Sequence, residues 1–407
     1  MFLRESESKI YPFPFVRIFL LIYVVFNLIG LINFPFYKKE LSDYSNIYLF
    51  IIGLSGYIFG SIIFRNFKIF NIYSSKVKNK SKNIQLFFFI SISLALFFII
   101  LTNVLNGGII VLSGDKRFAS FAITNLLVYS SIVMTLVYFS NRLLRNKKIT
   151  WHNLFLIAFL CLSIISLGYR SPVVSLLGGL YIIFYSIRND FQNNLKKIFS
   201  LKVLISAFVF LFIMSYIASF RVSQKWDIDK FYKNINNEVI NENSYLRPIV
   251  PVISLFRYDQ EVVNKLISET KDNHMYLGLA FSNIITVLPG EQLGARNIVG
   301  EIINSRETPS GKPWSITPTL QGAFFVDGGY IFAFVGFFFT AAFIEVLRKI
   351  IKIKKDPFYF ALYGLMVVAV LKSIHTGYFD VSIYITVFIL FVLRFFCFDI
   401  NYKLKIS

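Results

Sequence analysis

Apolar residues run in long blocks along this chain, and polar residues gather between them. A block of about 17 to 25 residues with few charges is the length a helix needs to cross the hydrocarbon core of a bilayer. The pattern predicts such spans at 16–34, 46–64, 84–104, 121–140, 151–169, 171–187, 202–219, 318–344, 358–374 and 379–396. One polar stretch, 220–317, separates the seventh span from the eighth. The expected fold is an all-α polytopic membrane protein with about ten transmembrane helices. Residues 1–219 hold helices one to seven, 220–317 form one large loop, and 318–407 hold the last three helices and a tail.

Within the loop, Ile249, Val252, Ile253, Phe256, Val263, Leu266 and Ile267 recur at helical spacing. They predict an amphipathic helix lying on the membrane surface. Met275 to Leu288 is apolar but short and closes on Pro289-Gly290, so it reads as interfacial or re-entrant.

Composition agrees, with 56% hydrophobic residues and a mean hydropathy of +0.63. The net charge of +20 raises the question of nucleic acid, but the cations sit between apolar blocks and form no recognition motif. They read as an orientation signal. Arg65 to Lys82, Arg142 to Lys148, Arg188 to Lys202 and Arg348 to Lys355 are basic connections, and the positive-inside rule turns them, with both termini, to the cytoplasm. This assignment leaves 25 of the 42 Lys and Arg inside and places 220–317, with 11 cations and 11 acids, outside. The first block follows Arg4, Lys9 and Arg17 without a small-residue cleavage site, and reads as an uncleaved first span of an inner-membrane type of protein. Cys161 falls in mid-span and Cys397 near a cytoplasmic end, which predicts no disulfide.

Seven arginines then stand out on the outer side: Arg117, Arg170, Arg221, Arg247, Arg257, Arg296 and Arg306. Arg170 interrupts an apolar run at the tip of a tight helical hairpin, with Pro172 opening the next helix. A long side chain snorkelling at a helix end is one account of it. The other is a cationic outer cavity for a pyrophosphate or acidic sugar, which a guanidinium binds bidentately while charged at every relevant pH.

The segments "GYRSPVVSLLGGLYIIFY" and "PWSITPTLQGAFFVDGGYIFAFVGFFF", with the long loop before the eighth span, resemble bacterial O-antigen and capsule repeat-unit polymerases, the Wzy-type enzymes. In that family a G-x-R-S/G element opens a span, and a T-P-S/T-x-x-G element followed by G-x-x-G begins the span after the loop. Thr317-Pro318-Thr319, Gly322, Gly328 and Gly329 stand where the second would be. The resemblance implies a multi-span glycosyltransferase that joins undecaprenyl-pyrophosphate-linked oligosaccharide repeats on the outer leaflet. A chain-length regulator is the implied protein partner. Leaving-group charge calls for Arg170, Arg221, Arg247 or Arg257, with Arg117 and Arg296 as further glycan or pyrophosphate contacts.

A base on the acceptor is also needed. The candidates are Glu291 in "PGEQLGAR", Asp327 in the eighth span, and His375 or Asp380 in "HTGYFD". Each has a plainer reading: an ordinary loop carboxylate, a helix-entry or arginine partner, or an interfacial histidine. The "DID" at Asp227 to Asp229 does not complete an oxygen-ligand shell, His152 and His274 lack ligand partners at helical spacing, and no metal or cofactor is expected. The glycine pairs at 107, 178 and 328 suit close helix packing. The competing readings are an O-antigen ligase, a lipid-linked oligosaccharide flippase or transporter, and a multi-span acyltransferase. A transporter would show inverted repeats and mid-membrane charge, whereas here the polar mass sits in one outer segment.

Overall fold

The computed structural model describes residues 13–37, 45–67, 78–79, 81–110, 121–145, 149–169, 171–187, 250–270, 294–304, 315–354, 356–377 and 381–399. The seventh predicted span, the run Met275 to Leu288, and Arg117, Arg170, Arg221, Arg247, Glu291, Arg306 and Asp380 lie outside them.

Among the described residues eleven helices form: α1 Phe15–Leu31, α2 Ser45–Asn66, α3 Ser81–Leu105, α4 Ala122–Leu144, α5 Trp151–Ser166, α6 Ser171–Ile187, α7 Val250–Glu269, α8 Ala295–Ile302, α9 Thr319–Ile353, α10 Pro357–Thr376 and α11 Val381–Cys397. The only strands there are β1 Lys78–Asn79 and β2 Phe398–Asp399, paired antiparallel. Helices α2, α3, α4, α9 and α10 are long and apolar enough to cross a membrane, and α1, α5, α6 and α11 are shorter apolar helices. The chain is thus the all-α polytopic fold that the apolar blocks predict, with a helix at each predicted span that falls within the described residues.

Helix α10 is central, with 78% of its most apolar stretch buried, while α3 is peripheral at 28%. Asp356 fixes where α10 begins, its Oδ1 accepting from Phe358 N at 2.9 Å with Pro357 at the first position. Burial holds the Asp356 carboxyl above its usual range, offset partly by the Phe358 N–H. Around α10 pack α4, α6 and α9, and α2 runs beside α9. That last pair approaches closely and in parallel: a Cβ on Gly56 would stand 2.4 Å from Phe334 O, and one on Gly60 2.5 Å from Phe338 O. Small residues that let backbones meet are a common way to join helices in lipid, where van der Waals contact replaces the hydrophobic drive.

The glycine pair at 328 serves another purpose. Gly329 adopts φ +68°, and α9 breaks there into Thr319–Asp327 and a longer second helix.

Contacts sort the helix ends into two groups. One end holds β1 and β2, Lys349 Nζ bonded to Phe67 O, and Arg394 Nη1 bonded to Tyr359 Oη at 3.2 Å. The opposite end joins Asn103 to Ser166 at 2.8 Å, Thr102 to Thr124 at 2.9 Å, and α7 to the first turns of α2 and α9 through Asn46, Leu49 and Phe325.

Helix α7 does form over the amphipathic pattern, but protein covers its apolar face. Val263, Leu266 and Ile267 pack with Leu49, Phe325, Ala323 and Val326 of α2 and α9, and Phe256 meets Phe26 of α1 edge to face at 4.8 Å. Its hydrophobic stripe is spent on the bundle, where the sequence reading gave it to lipid.

Replacing Gly56 with Ile should drive a side chain into the α9 backbone. Overpacking of this kind costs about 1–3 kcal/mol, so the melting temperature of the purified protein should fall by several degrees. An unchanged value would contradict the α2–α9 contact.

Candidate active site

The docking of α7 places a set of buried polar groups. Gln260 lies on its bundle-facing side and donates from Nε2 to Asn27 Oδ1 of α1 at 3.1 Å, while its Oε1 accepts from Asn46 Nδ2 of α2 at 2.7 Å. Asn27 in turn donates to Tyr23 O at 2.8 Å, and Tyr23 Oη donates to Gln321 Oε1 of α9 at 2.6 Å. One turn further along α7, Asn264 Oδ1 accepts from Asn46 N at 3.3 Å. A buried amide is costly unless bonded, so this chain fixes α7 at one register across α1, α2 and α9. Gly30 makes the approach possible, because a Cβ there would stand 2.6 Å from both Phe256 O and Gln260 Cγ.

Beside Gln260 is Asp259, fully buried. Its Oδ2 lies 2.6 Å from His375 Nδ1, and its Oδ1 accepts from Thr317 Oγ1 at 3.5 Å. Burial pushes this carboxyl above its usual range, and the His375 and Thr317 contacts pull it partly back. His375 occupies the last turn of α10, with its side chain 32% exposed and its ring 6.2 Å from that of Phe26. Gly377, at φ +77°, ends α10, and a Cβ on it would meet Pro318 Cγ at 2.7 Å and Thr319 O at 2.8 Å. The end of "HTG" thus closes directly on "TPT" at the head of α9.

The arrangement has a definite chemical capacity. A carboxylate on Nδ1 fixes the ring and its tautomer, and leaves Nε2 as the basic nitrogen of a neutral imidazole. Such a group can take a proton from a hydroxyl.

The other sequence candidates are placed differently. Arg257 is buried, with Nε 3.5 Å from Glu261 Oε1 and the guanidinium 5.1 Å over the ring of Tyr37. Tyr37 also donates from Oη to Ile253 O at 3.1 Å, and burial, resisted by Arg257, raises its hydroxyl to about 12. Arg257 is therefore committed to holding α7 against the chain that follows α1. Arg296 is half-buried on α8, and its carbonyl accepts from Ile316 N at 3.0 Å, tying α8 to the approach of α9. Asp327 is buried at the break in α9; the carboxylate on His375 is Asp259.

Sequence reasoning named His375 as one candidate base and did not name Asp259. The signal was present: Phe256, Asp259, Val263 and Leu266 share one face of α7, so an acid stands in an apolar stripe. A charge in that register calls for a buried partner.

A family described as "Putative O-antigen polymerase" matches residues 9–387. No curated protein and no solved structure matches the chain.

Gly30→Ala should lift α7 from α1 and loosen the Asp259–His375 contact. Amide hydrogen exchange across Val250–Glu269 should then speed by about tenfold or more. Protection equal to that of the parent protein would show that the close approach does not hold the helix.

Proposed function

The chain belongs to the O-antigen polymerase family, and on that premise we propose that it joins undecaprenyl-pyrophosphate-linked oligosaccharide repeats at the outer face of the bacterial inner membrane. The growing glycan passes from its lipid carrier to the terminal sugar of a new lipid-linked repeat. An acceptor hydroxyl attacks the anomeric carbon, its proton goes to His375 Nε2, the bond from that carbon to the pyrophosphate oxygen breaks, and the lipid pyrophosphate leaves with the bonding electrons. Asp259 holds the imidazole and balances the charge it gains. Arg170, Arg221 and Arg247, with Arg117 and Arg296 toward the glycan, hold the departing anion.

The observation that carries this reading is the 2.6 Å pairing of a buried carboxylate with a part-exposed histidine, at the helix ends where the long polar segment docks. Of the four sequence candidates for the base, His375 has this support. Arg65 and Lys352 stand in the last turns of α2 and α9, away from the first turns that α7 meets, and by the positive-inside rule this turns the α7 end outward. A chain-length regulator is the proposed protein partner. Among the described residues no three His, Cys, Asp or Glu side chains gather as a metal site would require.

Deleting the gene should leave surface glycan of one repeat unit, whereas loss of a flippase would leave none. A purified, lipid-linked repeat supplied as sole substrate should give a ladder of products, which a ligase would not make. His375→Ala should slow ladder formation by about a hundredfold or more. Arg170→Ala should abolish long chains with single-repeat intermediates intact, and Arg170→Lys should restore them partly, since an ammonium lacks the bidentate fork. Long chains from both alanine variants at normal expression would refute the assignment.

A further inference from the structure

Lys372 is a cation inside the apolar helix α10, one turn before His375. An ionisable residue within a span needs polar company and by default marks a ligand or ion path. Lys372 is half-buried, and its Nζ donates to the Oγ of Ser171, the first residue of α6. That bond uses a lone pair of the serine oxygen and leaves its hydroxyl proton for an acceptor. An ammonium at Oγ also polarises the hydroxyl and makes it a better donor.

The surroundings extend this polar point. Leu365 and Ala369, on the same face of α10 as Lys372, line a small cavity of about 20 Å³ shared with Ser171, Ser175, Ser382 and Thr386. That volume holds about one water, too little for a sugar or an isoprene unit, so the cavity itself is not a pocket for glycan or lipid. Ser171 follows Arg170 in the chain, and the next turn of α10 carries His375 to Asp259. Lys372 thus joins the arginine element to the helix that bears the proposed base.

We infer that Lys372 and Ser171 form an anion subsite that receives one phosphate of the lipid carrier's diphosphate. The inference rests on the polymerase reading above. As the bond from the anomeric carbon to oxygen breaks, negative charge grows on the diphosphate. The Lys372 ammonium and the Ser171 hydroxyl stabilise it by hydrogen bonding, and neither gives up its proton. A compact ammonium suits a single phosphate oxygen, where an arginine fork spans two.

The simpler account is that Lys372 only staples α10 to α6, and the test separates the two. Full-length protein in lipid nanodiscs is titrated with farnesyl diphosphate, with farnesol as the uncharged control. Lys372→Met should weaken farnesyl diphosphate binding by about tenfold or more, the range for a lost charged hydrogen bond, with the ligand-free melting temperature nearly unchanged. Lys372→Arg should keep most of the affinity, and farnesol should not distinguish the variants. Parental affinity in a folded Lys372→Met protein would overturn the subsite, as would a parent protein indifferent to farnesyl diphosphate. Should Lys372→Met fail to fold, Ser171→Ala carries the test: weaker binding supports the subsite and unchanged binding overturns it. The polymerase reading stands or falls separately, on the one-repeat phenotype of the gene deletion.

Discussion

A carboxylate with no exposed surface, 2.6 Å from a histidine nitrogen, is the contact around which this protein is arranged. Taking Asp259 out of water costs several kcal/mol unless a partner and further hydrogen bonds meet it. Those partners lie far apart in sequence, Thr317 just before α9 and His375 on α10. Helix α7 must therefore dock onto the helix ends for Asp259 to be tolerated at all. The surrounding features serve that docking: Gly30 admits α7, the Asn27–Gln260–Asn46 bonds set its register, and Gly377 lets α10 end against Pro318 and Thr319.

Two tasks of glycosyl transfer fall to different parts of the proposed site. Proton removal needs one well-oriented base, which a carboxylate-held imidazole on a rigid helix provides. Stabilising a diphosphate needs several cations able to adjust to it, and the sequence puts most of these in the connecting segments. Arg257 shows why counting arginines is insufficient. It is one of the seven arginines that the charge rule assigns to the outside, yet its guanidinium serves Glu261 and the Tyr37 ring. Lys372 shows the converse, since a single cation in an apolar helix is easily read as a snorkelling chain until its contact with Ser171 is seen.

The spans were legible because a bilayer leaves the backbone few choices, so length and apolarity suffice. Helix α9 runs to Ile353, past the predicted end at 344, because Glu345, Arg348 and Lys349 continue a helix as readily as apolar residues do and only the membrane signal stops. The period of α7 was legible too, but an apolar stripe says that a surface is needed and not which one. Lipid and protein satisfy Val263 and Leu266 equally; only Asp259 and Gln260, in the same stripe, distinguish them. Asp259 stood out only as an acid in that stripe; its pairing with His375 could not be read, because 116 residues separate the two and no local spacing encodes the meeting.

The claim that Asp259 acts through His375 is tested most directly by a double-mutant cycle on the rate of ladder formation from lipid-linked repeats, using Asp259→Asn, His375→Ala and both together. Groups working as one unit are strongly non-additive, so the double variant should be no slower than His375→Ala alone. Rate losses that multiply, with Asp259→Asn slowing the His375→Ala enzyme as much as it slows the parent, would contradict the account.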